Sequence, residues 1–126
     1  MNLEHTFAVL KPDLSVETVA VSPDIYAELD ARFDNFKSHA LVSIYAFDSD
    51  WKVWERHPAG DEIVVLLSGA ARMALRKDSG EEIVELKAPG AFVVVPRNTW
   101  HTAYVSAKAR MLFVTPGEGT ENSPEG

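Results

Sequence analysis

Two kinds of hydrophobic spacing divide the chain near residue 40. Before it, residues 5–10 and 16–21 read as short strands, separated by the breaker Lys11-Pro12-Asp13. Ser22-Pro23-Asp24 then offers an N-cap serine, a first-turn proline and an acid for the positive helix end. Ile25, Leu29, Phe33 and Phe36 follow at spacings of four, four and three, which predicts one amphipathic helix over about 23–35. After residue 40 the apolar runs shorten to strand length. They are Leu41–Phe47, Trp51–His57, Ile63–Leu67, Ala70–Leu75, Ile83–Leu86, Ala91–Val95, His101–Val105 and Met111–Thr115. Turn signals such as Asp78-Ser79-Gly80 and Ala88-Pro89-Gly90 separate them. Eight short strands with frequent turns predict an all-β sandwich or barrel. The tail from Pro116 to Gly126 carries almost no apolar residue and is expected to be extended or mobile.

A length of 126 residues predicts a single domain with one true core. The expected organisation is an N-terminal strand and helix extension over 1–38, a barrel over 39–116 and a polar tail over 117–126. No apolar run approaches the roughly 20 residues of a membrane span, and no basic segment followed by an apolar one opens the chain, so a cytoplasmic protein is expected. Cysteine is absent, which excludes disulfides, thiolate metal sites and cysteine nucleophiles. Nineteen acidic against twelve basic residues give a net charge of −7 with no basic patch, which argues against nucleic acid as a partner.

The candidate chemistry lies at Pro58-Ala59-Gly60-Asp61. Read as a four-residue hairpin loop, this segment sets His57 opposite Glu62, and strand alternation puts Glu55 on the face of His57. Two carboxylates and an imidazole make a poor core but a good start to a site for iron, manganese, zinc or nickel. His101, after the turn at Pro96-Arg97-Asn98-Thr99, is a further candidate ligand. Each of these residues taken alone is read more simply as a rim or structural group. His5 and His39 lie outside the barrel strands and are read as structural.

Joint spacing raises the set above its members. Glu55-x-His57, four residues, Glu62, six residues and Gly69 is followed by Gly90, five residues, Pro96-x-Asn98, two residues and His101. This resembles the two motifs of the cupin superfamily over about residues 49–105. The departures are Ser49 for a glycine, Glu55 for the first histidine, Asn98 for a turn glycine and Val105 for the last asparagine. The resemblance implies an antiparallel jelly-roll barrel, a divalent transition metal held by His57, Glu62 and His101, and a homodimer. Glu55 is chemically able to be a fourth ligand. With Glu55 included, two carboxylates would neutralise a divalent ion and weaken it as a Lewis acid.

With His57 facing inward, Trp51 and Val53 face inward too, and Met73, Met111 and Phe113 complete a candidate apolar pocket for a small molecule. The same alternation points Ile63, Val65 and Leu67, along with Trp54, Trp100 and Tyr104, away from the interior. Such a face requires a cover, either the N-terminal segment or a partner subunit. Three functions fit: a metal-dependent enzyme of dioxygenase or isomerase type, a non-catalytic small-molecule sensor, or a barrel stapled by a structural metal.

Overall fold

The computed structural model describes residues 1–126. Its elements are β1 (Thr6–Leu10), β2 (Val16–Ala20), α1 (Ile25–Arg32), a 3₁₀ turn (Asp34–Phe36), β3 (Ala40–Phe47), β4 (Trp54–Arg56), β5 (Glu62–Gly69), β6 (Ala71–Lys77), β7 (Gly80–Leu86), β8 (Phe92–Val95), β9 (His101–Tyr104), β10 (Ala109–Thr115) and β11 (Glu121–Ser123). They form two antiparallel sheets, ordered β2-β1-β3-β10-β5-β8 and β11-β4-β9-β6-β7. The architecture is a mostly β sandwich, and no ladder joins the two sheets into a closed barrel.

Strand alternation fixes which side chains meet. Val64, Leu66, Met111, Phe113, Val93 and Val95 of the larger sheet pack against Ala71, Met73, Leu75, Leu86 and Ala103 of the smaller one. The inner face of the larger sheet then continues onto β1 and β2, where the second sheet no longer faces it. There α1 takes its place. Ile25, Leu29, Phe33 and Phe36 bury against Phe7, Val9, Val19 and Leu41. Tyr45 touches both cores. The N-terminal segment therefore lies on the inner side of the larger sheet and does not cover Ile63 or Val65.

The helix is shorter than its spacing predicts. Ser22 is not its side-chain cap; the Ser22 carbonyl accepts the Ile25 N–H, and Asp24 at the cap position makes no side-chain cap bond. The helix stops at Arg32 because Asp34, Asn35 and Phe36 adopt left-handed backbone, at φ 55°, 54° and 61°. That reversal still turns Phe33 and Phe36 into the core, both about 5 % exposed.

Two further expectations are corrected. Trp51–His57 is not one strand, and only Trp54–Arg56 pairs. Residues 58–61 are not a hairpin loop either: β4 pairs with β9 and β11, while β5 pairs with β10 and β8. The segment crosses from one sheet to the other. Of the two states expected for the tail, extended or mobile, the strand at Glu121–Ser123 is the extended one, paired with Arg56, Glu55 and Trp54.

The two outer faces differ. On the smaller sheet Arg76 lies 4.1 Å over Trp54, Arg56 4.7 Å over Trp100 and Arg72 5.5 Å over Tyr104. These rings were expected to need a partner or the N-terminus, and the chain's own guanidiniums cover them instead. On the larger sheet Phe92, Val65, Leu112 and Ile44 form an uncovered row across β8, β5, β10 and β3.

Candidate metal centre

Two turns hold the site together. Asn98, at φ 60°, adopts the left-handed backbone that its place at a turn glycine requires. Its N–H donates to the His57 carbonyl at 2.9 Å, and the Arg97 N–H donates to Asp61 Oδ1 at 2.7 Å. These bonds bind the β4–β5 crossing to the β8–β9 turn. The residues after one turn therefore face those before the other.

The ligand atoms of Glu55, His57 and His101 lie within 4.8 Å of one another. Glu55 and His101 are opposed across the β4–β9 ladder. Glu62 reaches in from the facing sheet, with Oε1 3.1 Å from His101 Nε2 and Oε2 3.4 Å from His57 Nε2. All four predicted residues thus converge, but across the sandwich interior rather than along a hairpin. His57, Glu62 and His101 are at most 4 % exposed.

Close as they are, His57 Nε2, His101 Nε2 and Glu62 Oε1 satisfy no hydrogen bond. Three atoms approach one point without the alignment of donor to acceptor. Burying a polar atom unpaired costs about 1–3 kcal/mol, so three together call for something that binds them all.

The opposite ends of these side chains are fixed. His101 Nδ1 lies 3.0 Å from the Thr99 carbonyl, which can only accept, so Nδ1 carries the proton and Nε2 keeps its lone pair in the neutral ring. The same holds for His57 through one more step. The Thr120 hydroxyl donates to the Gly117 carbonyl at 2.9 Å, leaving Oγ1 to accept from His57 Nδ1 at 2.8 Å. The Thr115 hydroxyl donates to Glu62 Oε2 at 2.6 Å and leaves Oε1 free. Three threonines therefore aim three ligands, an arrangement metal sites use to set tautomer and basicity. Sequence reasoning missed all three. Thr99 acts through its backbone carbonyl, which any residue carries, Thr115 sits at a strand end where a hydroxyl is unremarkable, and Thr120 lies in the segment read as a tail. The Glu55 carboxylate makes no side-chain hydrogen bond within the chain and is partly exposed.

Electrostatics follow from this crowding. Burial disfavours the charged form of Glu62, but the adjoining imidazoles of His101 and His57 outweigh it and hold the carboxyl at about 2. Burial also opposes charging of His101, and the Glu62 carboxylate overcomes it and raises the imidazole. Glu55 is raised by burial and by the Glu62 charge, partly offset by the two histidines.

Of the expected pocket residues, Trp51 and Phe113 lie at the site. The Trp51 ring is 6.2 Å from His101 and 6.0 Å from Phe113, with its indole N–H buried and unpartnered. Met73 and Met111 are fully buried in the core between the sheets, and Val53 is half-buried, its carbonyl bonded by the Thr102 hydroxyl. His39 is buried between Phe33 and Phe36, far along the chain from the site, with Nδ1 2.7 Å from the Lys37 carbonyl.

No family model matches the chain, and no curated protein matches it. Solved structures do. The chain has the cupin fold. It is similar to a cupin-2 domain protein from Shewanella frigidimarina at 19 % identity and a TM-score of 0.52, over 61 % of this chain and 70 % of that one. A cupin superfamily protein from Desulfitobacterium hafniense matches at 22 % identity and TM-score 0.51, over 60 % of this chain and 65 % of the other. The hydroquinone 1,2-dioxygenase of Sphingomonas matches at 16 % identity and TM-score 0.52, over 60 % of this chain. The match covers 58 % of that dioxygenase chain. No helix is long and apolar enough to cross a membrane.

Proposed function

We propose that His57, Glu62 and His101, with Glu55 as a fourth ligand, hold one divalent transition metal ion, and that the protein is a metal-dependent enzyme acting on a small organic molecule. The observation that carries this reading is the trio of buried, unpaired ligand atoms aimed at one point by threonines. The donor set of imidazole and carboxylate suits iron, manganese, zinc or nickel. When bound, the ion supplies Lewis acidity or redox capacity at that point.

The protein's own groups do the rest. The threonine bonds keep both imidazoles in the ligating tautomer and hold one oxygen of Glu62 in place. Phe113 and Trp51 exclude water from one side, and the free Trp51 N–H is a donor for an oxygen of the bound molecule. Glu55, held by no other side chain and partly exposed, marks the side from which a ligand reaches the site. The fold neighbours include a hydroquinone 1,2-dioxygenase and an oxalate oxidase, which lends weight to the oxidative option over isomerisation. The partial exposure of Glu55 beside three buried ligands favours an enzyme over a structural staple.

Protein purified without added metal and then reloaded tests this reading. One iron, manganese, nickel or zinc ion per chain is expected by elemental analysis, with quenching of Trp51 fluorescence by cobalt or nickel. His101→Ala should abolish both, and unchanged metal content in His57→Ala and His101→Ala would refute the site. Azide added to the cobalt form should shift its visible absorption. A silent spectrum would mean a closed, structural ion.

A further inference from the structure

Two tyrosines stand near the partly exposed Glu55. Tyr26, in the first turn of α1, is 56 % exposed as a residue, but its hydroxyl reaches inward and bonds that of Tyr45 on β3. One hydroxyl donates to the other, so the pair uses one phenolic proton and keeps the second without an acceptor in the chain. Burial is the chief reason that both phenols are raised above their ordinary value. The charge of Glu55 reaches both and raises them further, and that of Glu62 reaches Tyr26. Both are therefore neutral donors at neutral pH.

The Tyr45 ring continues a wall of aromatic side chains that ends at the metal ligands. It lies 6.0 Å from Phe113 and 6.3 Å from Phe47, while Trp51 lies 5.5 Å from Phe47 and 6.2 Å from His101. Tyr45, Phe47 and Trp51 are only half-buried, so the chain does not itself cover this wall completely. No lysine or arginine is among the chief charges that reach Tyr26, Tyr45, Glu55 or Glu62. A divalent ion held by both carboxylates is neutral in sum, so the centre has no excess charge to draw in an anion.

We propose that Tyr26 and Tyr45 orient the substrate, and that the substrate is an uncharged aromatic molecule bearing a hydroxyl or carbonyl oxygen. Its ring lies against Tyr45, Phe47 and Trp51, and its oxygen accepts the free phenolic proton. This rests on the reading of the centre as that of a metal-dependent enzyme. The bond within the pair holds the donating hydroxyl in one direction before the substrate arrives, which lowers the entropic cost of binding. The carboxylates of Glu55 and Glu62, with no cation opposite, select against an anionic competitor. Neither tyrosine lies within residues 49–105, whose spacing carries the family resemblance. Tyr26 belongs to the N-terminal extension, which in this way completes the site.

The full chain loaded with zinc, which is redox-silent, tests the pair by fluorine NMR with three probes: 4-fluorophenol, 4-fluorobenzoate and fluorobenzene. 4-Fluorophenol should bind, and 4-fluorobenzoate more weakly by about tenfold or more. Tyr26→Phe and Tyr45→Phe keep the ring and remove the hydroxyl. Each should weaken 4-fluorophenol by roughly three- to tenfold, the loss of one neutral hydrogen bond, with zinc content unchanged. Fluorobenzene has no oxygen to bond and should bind the wild type and both variants alike, which a merely structural disturbance would not allow. An unchanged 4-fluorophenol affinity in either variant overturns the proposal and leaves the metal centre standing. So does a parallel loss of fluorobenzene, or tighter binding of 4-fluorobenzoate. A chain that takes up no zinc overturns the metal centre and this proposal with it.

Discussion

The two outer faces of the sandwich solve one problem in opposite ways. Both carry large apolar side chains where an antiparallel sheet meets water. The smaller sheet covers its aromatics from within, with Arg76 on Trp54, Arg56 on Trp100 and Arg72 on Tyr104. Each guanidinium shields a ring while staying hydrated, for about 0.5–2 kcal/mol per pair. The larger sheet presents aliphatic rows, and aliphatic side chains have no π-face to attract a cation. Its side chains stay exposed or half-buried. The difference teaches that exposure to solvent must be read with the chemistry of the residue exposed: an aromatic face draws neighbouring guanidiniums over itself, and an aliphatic one offers no such attraction.

The cover on the smaller sheet also reaches the site. Arg56 stacks on Trp100 and bonds Glu121 at 3.0–3.2 Å, which pins β11, and Thr120 just before β11 orients His57. Nothing on the bare face connects to the site in this way.

Acid should act chiefly on the interior, where the carboxylate with the most strongly lowered pKa lies. Glu62 has its carboxyl lowered from 4.5 to about 2, so it contributes stability above pH 4.5 that is lost as pH falls toward 2, about 3 kcal/mol in all. His101 is raised above 6.5, so its contribution is complete below that value and is lost as pH rises. Metal-free protein should therefore be most stable between about pH 4.5 and 6.5 by urea unfolding. The stabilisation added by metal should grow with pH instead, because ligation needs the neutral imidazole. Arg76→Ala should leave the acid limb where it is; a shift would place the acid-sensitive group on the outer face.

Thr120→Val removes the acceptor that holds His57 and should weaken metal binding about ten- to a hundredfold, measured by competition with a chelating dye. An unchanged affinity would separate the covered face from the site. Arg76→Ala exposes Trp54 and should cost about 1–2 kcal/mol in urea unfolding, with Arg76→Lys recovering part of it. Smallest of all, Val94→Ser should change the stability of the chain by less than about 0.5 kcal/mol. A large loss in the isolated chain would mean that Val94 is packed by its own chain.

Period-two patterning made most strands legible from the sequence, and the four site residues stood out because turn residues at Pro96–Asn98 and 58–61 frame them. Their manner of meeting was not legible. Local spacing favours a hairpin at 58–61, whereas the crossing between sheets depends on β5 finding β10 and β8, partners far along the chain. The arginine covers were hidden for the same reason: Arg76 and Trp54 are neighbours only after β6, β9 and β4 have paired. Thr120 was lost because low apolar content reads as disorder, while β11 is held by backbone bonds and one ion pair that composition does not reveal.

The hydroxyl of Thr120 makes the order of the chain's last strand and the occupancy of the site thermodynamically linked quantities. If an ion at Nε2 favours the imidazole orientation that Nδ1 shares with Thr120, then an ordered β11 favours the ion by the same factor. Loading the site should slow amide hydrogen exchange over residues 121–123, and exchange there would then report the state of the site without any probe placed within it.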